Sequence, residues 1–309
     1  MARYNGPIID AHHHLWAPLK GNYSWLLDPS REALAHDVTP EDYANTFAGF
    51  SIAGSVVVEG HADDPVLEAK HAASWGRQSG KRVATGFVAH CPLDAPDIHE
   101  RLAELRTNCP AVVGVRDIVA YVHDRPSFAR AADLLSSPRF KVGLAALAAE
   151  NLVFDLMLEP NQIGDAHTCL KTIPQLKVAI EHAGAPRDQS PAGLHAWRRS
   201  MAKLAELPNA VVKVSALQVH DSNWTVPSLR RVFDPLTDLF GPSRMMMGTD
   251  YPVHDLACPG PEAINAFIEL TQGWNENDQA AFFFDTAVQT YALEISAFEQ
   301  ADGSAQRSR

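Results

Sequence analysis

Cysteine is scarce in this chain: the 309 residues contain four, at positions 91, 109, 169 and 258. None is spaced as C-x-x-C, which argues against a zinc knuckle or a disulfide framework and suits thiols in a reducing cytoplasm. No G-x-G-x-x-G occurs, so the dinucleotide fingerprint is missing. No window of about 18 apolar residues exists either, so no segment reads as a membrane span. Cationic clusters are also lacking: Lys and Arg total 26 against 37 Asp and Glu, a formal net charge of −11. Without a basic run to neutralise phosphates, a nucleic-acid partner is not expected. The first residues show no basic segment followed by an apolar stretch, so the expectation is a cytoplasmic protein. Low-complexity linkers are absent. The expectation is one domain over 1–309, with a core at about 7–298 and a frayed polar tail over 301–309.

What is present is a core and a rhythm. Hydrophobic residues make up 46 % and charged residues 20 %, enough to bury a sizeable interior. Eight short apolar runs recur, at 8–9, 55–58, 83–89, 112–115, 153–158, 177–180, 210–214 and 244–247. Between them lie helical patterns, among them 65–78, 98–107, 127–149, 194–207 and 226–240. After the last run, residues 275–298 read as a helix that closes the outer ring. Continuous apolar runs are what strands need when helices cover both faces of a parallel sheet. Eight alternations in about 250 residues fit an α/β fold of the closed (β/α)₈ TIM-barrel type better than an open sheet.

Each run ends in titratable or polar side chains. In order these are His12 and His14; Glu59 with His61; His90; Arg116 and Asp117; Glu159; Glu181 and His182; Ser215; and Asp250. In a barrel those carboxyl ends share one mouth, where catalytic groups sit. In the opening stretch, Asp10, His12 and His14 fall at period two, so an extended backbone projects them from one face. Paired imidazoles there can hold a divalent metal or aim two proton-carrying rings at one atom. His13 faces the other way, toward packing under a helix. The loop over 15–40 is long and carries Trp16, Tyr23 and Trp25, as a pocket wall does.

The wording of these segments resembles a known family. His-x-His after the first run, Ile-Glu-His-Ala-Gly-Ala-Pro around His182 and Met-Gly-Thr-Asp-Tyr-Pro-Val around Asp250 resemble the amidohydrolase superfamily. Ile-Asp-Ala-His-His-His-Leu-Trp, Tyr-Ser-Trp-Leu, Val-Val-Val-Glu, Gly-Val-Arg and Phe-Asp-Leu-Met-Leu are similar to its sugar-lactonase and 2-pyrone-4,6-dicarboxylate lactonase branch. The likeness runs from about residue 7 to residue 295. It implies a TIM-barrel hydrolase that opens cyclic esters, a small-molecule lactone being the partner and a homo-oligomer allowed.

Under that resemblance Asp250 is the base that takes a proton from the attacking water and returns it to the leaving alkoxide. His12, His14 and His182 either ligate a metal or stabilise the oxyanion. Arg116 clamps or polarises the substrate through paired N–H donors, against a competing reading as a buried salt bridge. Glu59, His90, Tyr23, Trp25 and Tyr251 are expected around the substrate. A binuclear site is not expected, because Arg116 stands where a carboxylated Lys would end the fourth run. One zinc on His12, His14, His182 and Asp250 is a sensible set. The same branch also includes members that need no metal, and the reading here favours catalysis without one. The competing readings are a mononuclear zinc-dependent decarboxylase, a lactone isomerase, and a barrel that binds a metabolite without turning it over.

Overall fold

The computed structural model describes residues 3–80, 82–123 and 127–295. Eight strands follow one another: β1 Ile8–His13, β2 Ile52–Val58, β3 Gly86–His90, β4 Val112–Arg116, β5 Val153–Leu156, β6 Val178–Ile180, β7 Ala210–Val214 and β8 Met245–Met247. They lie side by side in sequence order in one sheet, and every pairing is parallel. Helices fill the connections, as parallel pairing requires. The chain is the (β/α)₈ barrel read from its rhythm.

Two apolar layers follow from strand alternation. The inner one gathers Ile9, Ala11, Val56, Val58, Val88 and Met246, with Tyr291 from the last helix and Leu293 just beyond it packed into it. The outer layer joins the other strand faces to the helices. Several helices open on proline after a side-chain cap, where a missing N–H costs nothing. Asp64 caps Pro65–Gln78, Ser137 caps Pro138–Ala149 and Ser190 caps Pro191–Ala205. The Ser137–Pro138 start explains one difference from expectation: within 127–149, the α-helix covers only its second half. The last helix runs from Glu276 through a wider π turn at Ala281–Asp285 to Tyr291, and stops at a left-handed Ala292. The proposed end of the core at 298 and the tail at 301–309 lie outside the described residues. Among the described residues, no helix is long and apolar enough to cross a membrane.

Candidate active site

The site is built where the last strand meets the first. Gly248, just after β8, runs so close to β1 that a Cβ there would lie 2.7 Å from His12 Cβ; only glycine allows this approach. The backbone then stitches the seam: Asp250 N donates to His12 O and His14 N donates to Tyr251 O, each at 2.7 Å. Asp10 completes it. Its carboxylate accepts from Thr249 N (2.9 Å), Thr249 Oγ1 (2.6 Å) and Tyr43 Oη (3.0 Å). Asp10 therefore does not share the face of His12 and His14, as its spacing had suggested. The β1–β2 pairing shifts register between Asp10 and His13, and that irregularity breaks the period-two alternation. His13 packs on the far side against Tyr43, with rings 4.2 Å apart, and Nε2 lies 2.9 Å from Ser55 Oγ.

The residues that turn into the mouth do so sharply. His61, His182, Ala216 and Asp250 all have left-handed φ, between 50° and 57°. Such backbone is uncommon for non-glycine residues and clusters at functional sites. The turns leave three atoms facing one another at the barrel mouth. His12 Nε2 and His14 Nε2 are 3.3 Å apart, and each is 3.4 Å from Asp250 Oδ1. All three residues are buried.

This triangle suits a divalent ion on chemical grounds. His14 Nδ1 sits 2.9 Å from the Val58 carbonyl, which can only accept, so a neutral ring carries its proton there and bares Nε2. His12 Nδ1 faces Glu181 Oε1 at 3.4 Å, and neither atom has another partner. Burial, and after it the Lys213 charge, holds the His12 pKa well below that of free imidazole. Two lone pairs and a carboxylate oxygen thus converge. Ligand atoms on a tetrahedral zinc lie about 3.3–3.4 Å apart, given metal–ligand bonds of about 2.0–2.1 Å. His182 stands outside that triangle. It forms a second donor group with His12 and Glu181, and its Nδ1 is 2.9 Å from Ser215 Oγ.

Charge beneath the triangle points the same way. Arg116 is buried and donates through Nε to Glu59 Oε1 (2.6 Å), through Nη1 to Glu181 Oε2 (3.2 Å) and through Nη2 to Glu59 O (2.6 Å). Lys213, wholly buried, pairs with Asp155, which also accepts from Tyr291 Oη at 2.7 Å. Counting Asp250, four carboxylates stand against two cations, a formal surplus of two negative charges. Burial works to raise the Asp250 pKa, but His182 and His14, with a proton on the ring nitrogen that faces it when no ion is bound, overcome this and hold the carboxyl below its usual range.

A cavity of about 190 Å³ opens above this floor, smaller than typical drug-sized sites. His12 lies buried beneath it, while His14, His182, Arg116, Asp250 and Trp25 line it. Four of the expected substrate contacts do not. Tyr23 Oη turns away to Glu68 (3.3 Å), and Tyr251 packs edge-on against Phe47 at 5.6 Å. Glu59 lies behind the wall as the partner of Arg116, and His90 Nδ1 is 3.1 Å from the Arg116 carbonyl. Their strand-end positions were legible, but their side-chain directions were not. Glu181 was read only as a strand end at the mouth, and His220 and Lys213 were given no role from sequence. A signal for Lys213 did exist: a Lys inside Ala-Val-Val-Lys-Val and an Asp inside Val-Phe-Asp-Leu are opposite charges in two buried strands.

The amidohydrolase family model matches residues 9–293. L-fucono-1,5-lactonase of Burkholderia multivorans is 28 % identical over 303 residues, spanning 92 % of this chain and 96 % of the relative. Two crystal structures of an amidohydrolase from the same organism, one with bound HEPES and one with bound zinc, superpose with a TM-score of 0.81 at 25 % and 24 % identity. Both comparisons cover 94 % of this chain and all of the other. A probable 2-pyrone-4,6-dicarboxylic acid hydrolase from Acinetobacter baumannii, with citric acid bound, shares the fold at a TM-score of 0.71 and 17 % identity, over 94 % of this chain and all of the other. Matched over nearly its full length by that model, this chain belongs to the amidohydrolase family.

Proposed function

We propose that this protein is a hydrolase that opens a small lactone, with His12, His14, His182 and Asp250 as its catalytic residues. The observation that carries the reading is the His12–His14–Asp250 triangle at the floor of a small cavity; relatives named as lactonases support the choice of a cyclic ester. Asp250 Oδ1 stands in the triangle, which leaves Oδ2 to take a proton from the water that attacks the ring carbonyl. The same carboxyl then returns that proton to the departing ring oxygen. His182, steadied by Ser215, donates toward the carbonyl oxygen as it gains charge. Arg116 fixes Glu181 and Glu59 and has two N–H donors left to orient the substrate. A divalent ion held by His12 Nε2, His14 Nε2 and Asp250 supplies Lewis acidity when bound.

Ring opening releases acid. The test is a pH-indicator screen of aldonolactones and pyrone carboxylates with the purified protein, before and after chelation. Acid release from at least one lactone is the expected result, and the chelated arm reads the role of metal. Carbon dioxide release from hydroxybenzoates with no lactone consumed would make the protein a decarboxylase. Ligand binding without any turnover would make it a binding barrel.

A further inference from the structure

His220 is a cavity residue that the proposed mechanism does not use. It ends the single turn Gln218–His220 that follows β7, and it lines the cavity together with His182 and Asp250. Its Nε2 is buried and has no hydrogen-bond partner. A buried polar atom left in that state costs stability, so such atoms need a stated reason. The turn that carries it is anchored: Gln218 lies 2.9 Å from His254 Nε2, and His254 N donates to Asp250 O at 2.8 Å. The imidazole is thus held beside the reaction centre with one nitrogen unspent.

Several other polar groups of the wall are partly engaged. Arg116 spends three of its five N–H donors on Glu59 and Glu181, and Arg187 is gripped by both oxygens of Glu159 at 2.8–3.0 Å. His61 lies face to face with Phe128 at 3.7 Å. Arg31 sits over the Trp25 ring rather than against a carboxylate. The remaining wall is largely hydrocarbon, including Leu34, Met157, Leu158, Val219 and Val253. A ring with a hydroxyl on nearly every carbon would set some of them against these apolar side chains without a partner, which is unfavourable for each one so placed.

From this geometry we infer that the lactone opened here is poor in hydroxyls, its ring faces packed on the apolar wall and one polar substituent bound by His220 Nε2. The inference rests on the lactonase reading and narrows its substrate class. The test compares kcat/KM for δ-valerolactone, its 3-hydroxy-3-methyl derivative, L-fucono-1,5-lactone and 2-pyrone-4,6-dicarboxylate. The 3-hydroxy-3-methyl lactone is expected to lead, and the sugar lactone to trail it by at least about a hundredfold, the discrimination a hydrocarbon pocket shows against added hydroxyl. In His220→Phe, the preference for the hydroxylated lactone over δ-valerolactone should collapse about tenfold, chiefly through KM. His220→Gln, which keeps a polar group there, should restore much of it. A sugar lactone or the pyrone dicarboxylate opened best would overturn the inference and leave the lactonase reading standing. So would an unchanged preference in His220→Phe. Failure to open any of the four removes both together.

Discussion

Replacing Asp250 with Asn separates chemistry from folding at this site. The side chain keeps its shape, and the backbone contacts that hold residue 250 are main-chain ones: its N–H to His12 O at 2.7 Å and its C=O accepting from His254 N at 2.8 Å. Its φ of 57° suits Asn at least as well as Asp, since Asn enters the left-handed region readily. The fold and its melting temperature should therefore be unaltered. What is lost is a carboxylate held ionised by the neighbouring imidazoles, and with it both the proton acceptor and one corner of the triangle. General-base loss costs about 10²–10⁴ in rate, or about 3–5 kcal/mol of transition-state stabilisation. The assay is indicator-coupled lactone hydrolysis under saturating and subsaturating substrate, with a thermal melt of the same sample. A variant that melts like the parent and turns over within threefold of it would remove Asp250 from the mechanism.

Other perturbations probe the surroundings. Zinc should bind at one equivalent per chain in calorimetry and stabilise the fold by about 2.7 kcal/mol at a hundredfold excess over Kd, while His14→Ala should abolish both effects; binding that survives would place the ion elsewhere. Arg116→Met leaves Glu59 and Glu181 buried without their counter-charge, so urea unfolding should show a loss of about 3–5 kcal/mol, and a loss under 1 kcal/mol would refute the pairing as a structural element. Glu68 is buried, and that burial, with the Glu59 charge adding to it, pushes its pKa up to about 8. The folded chain keeps that proton while the unfolded chain releases it in the ordinary carboxylate range, so stability from this group falls as pH climbs from about 5 to about 8. Glu68→Gln should flatten that slope in urea melts at pH 5, 7 and 9; parallel curves would count against it.

How much of this was legible in the sequence depends on which physical signal each residue left. Strand ends were visible because a buried apolar run that stops at a charge is a local pattern, and this sufficed for His12, His14, Arg116, His182 and Asp250. Asp10 was misplaced because a register shift between adjacent strands leaves no trace in spacing. Tyr23 and Tyr251 were assigned to the cavity because aromatic residues in a long loop look alike from outside. In the folded chain one hydroxyl is drawn to Glu68, and the other ring is drawn into the Tyr43–Phe47 cluster. The helix over Pro138–Ala149 was overextended because the preceding residues share its composition, while its Ser-Pro start marks the true boundary. His220 was silent, since its meaning comes entirely from what surrounds it in space.

The seam at Gly248 has a consequence for assembly. Two corners of the donor triangle come from the first strand and the residue just after it, and the third from beyond the last strand, about 240 residues later along the chain. No half-barrel can carry the triangle, and a growing polypeptide possesses none of its chemistry until the final strand has docked beside the first. Ion uptake by this protein would thus report ring closure itself, making the site a built-in gauge of completed folding.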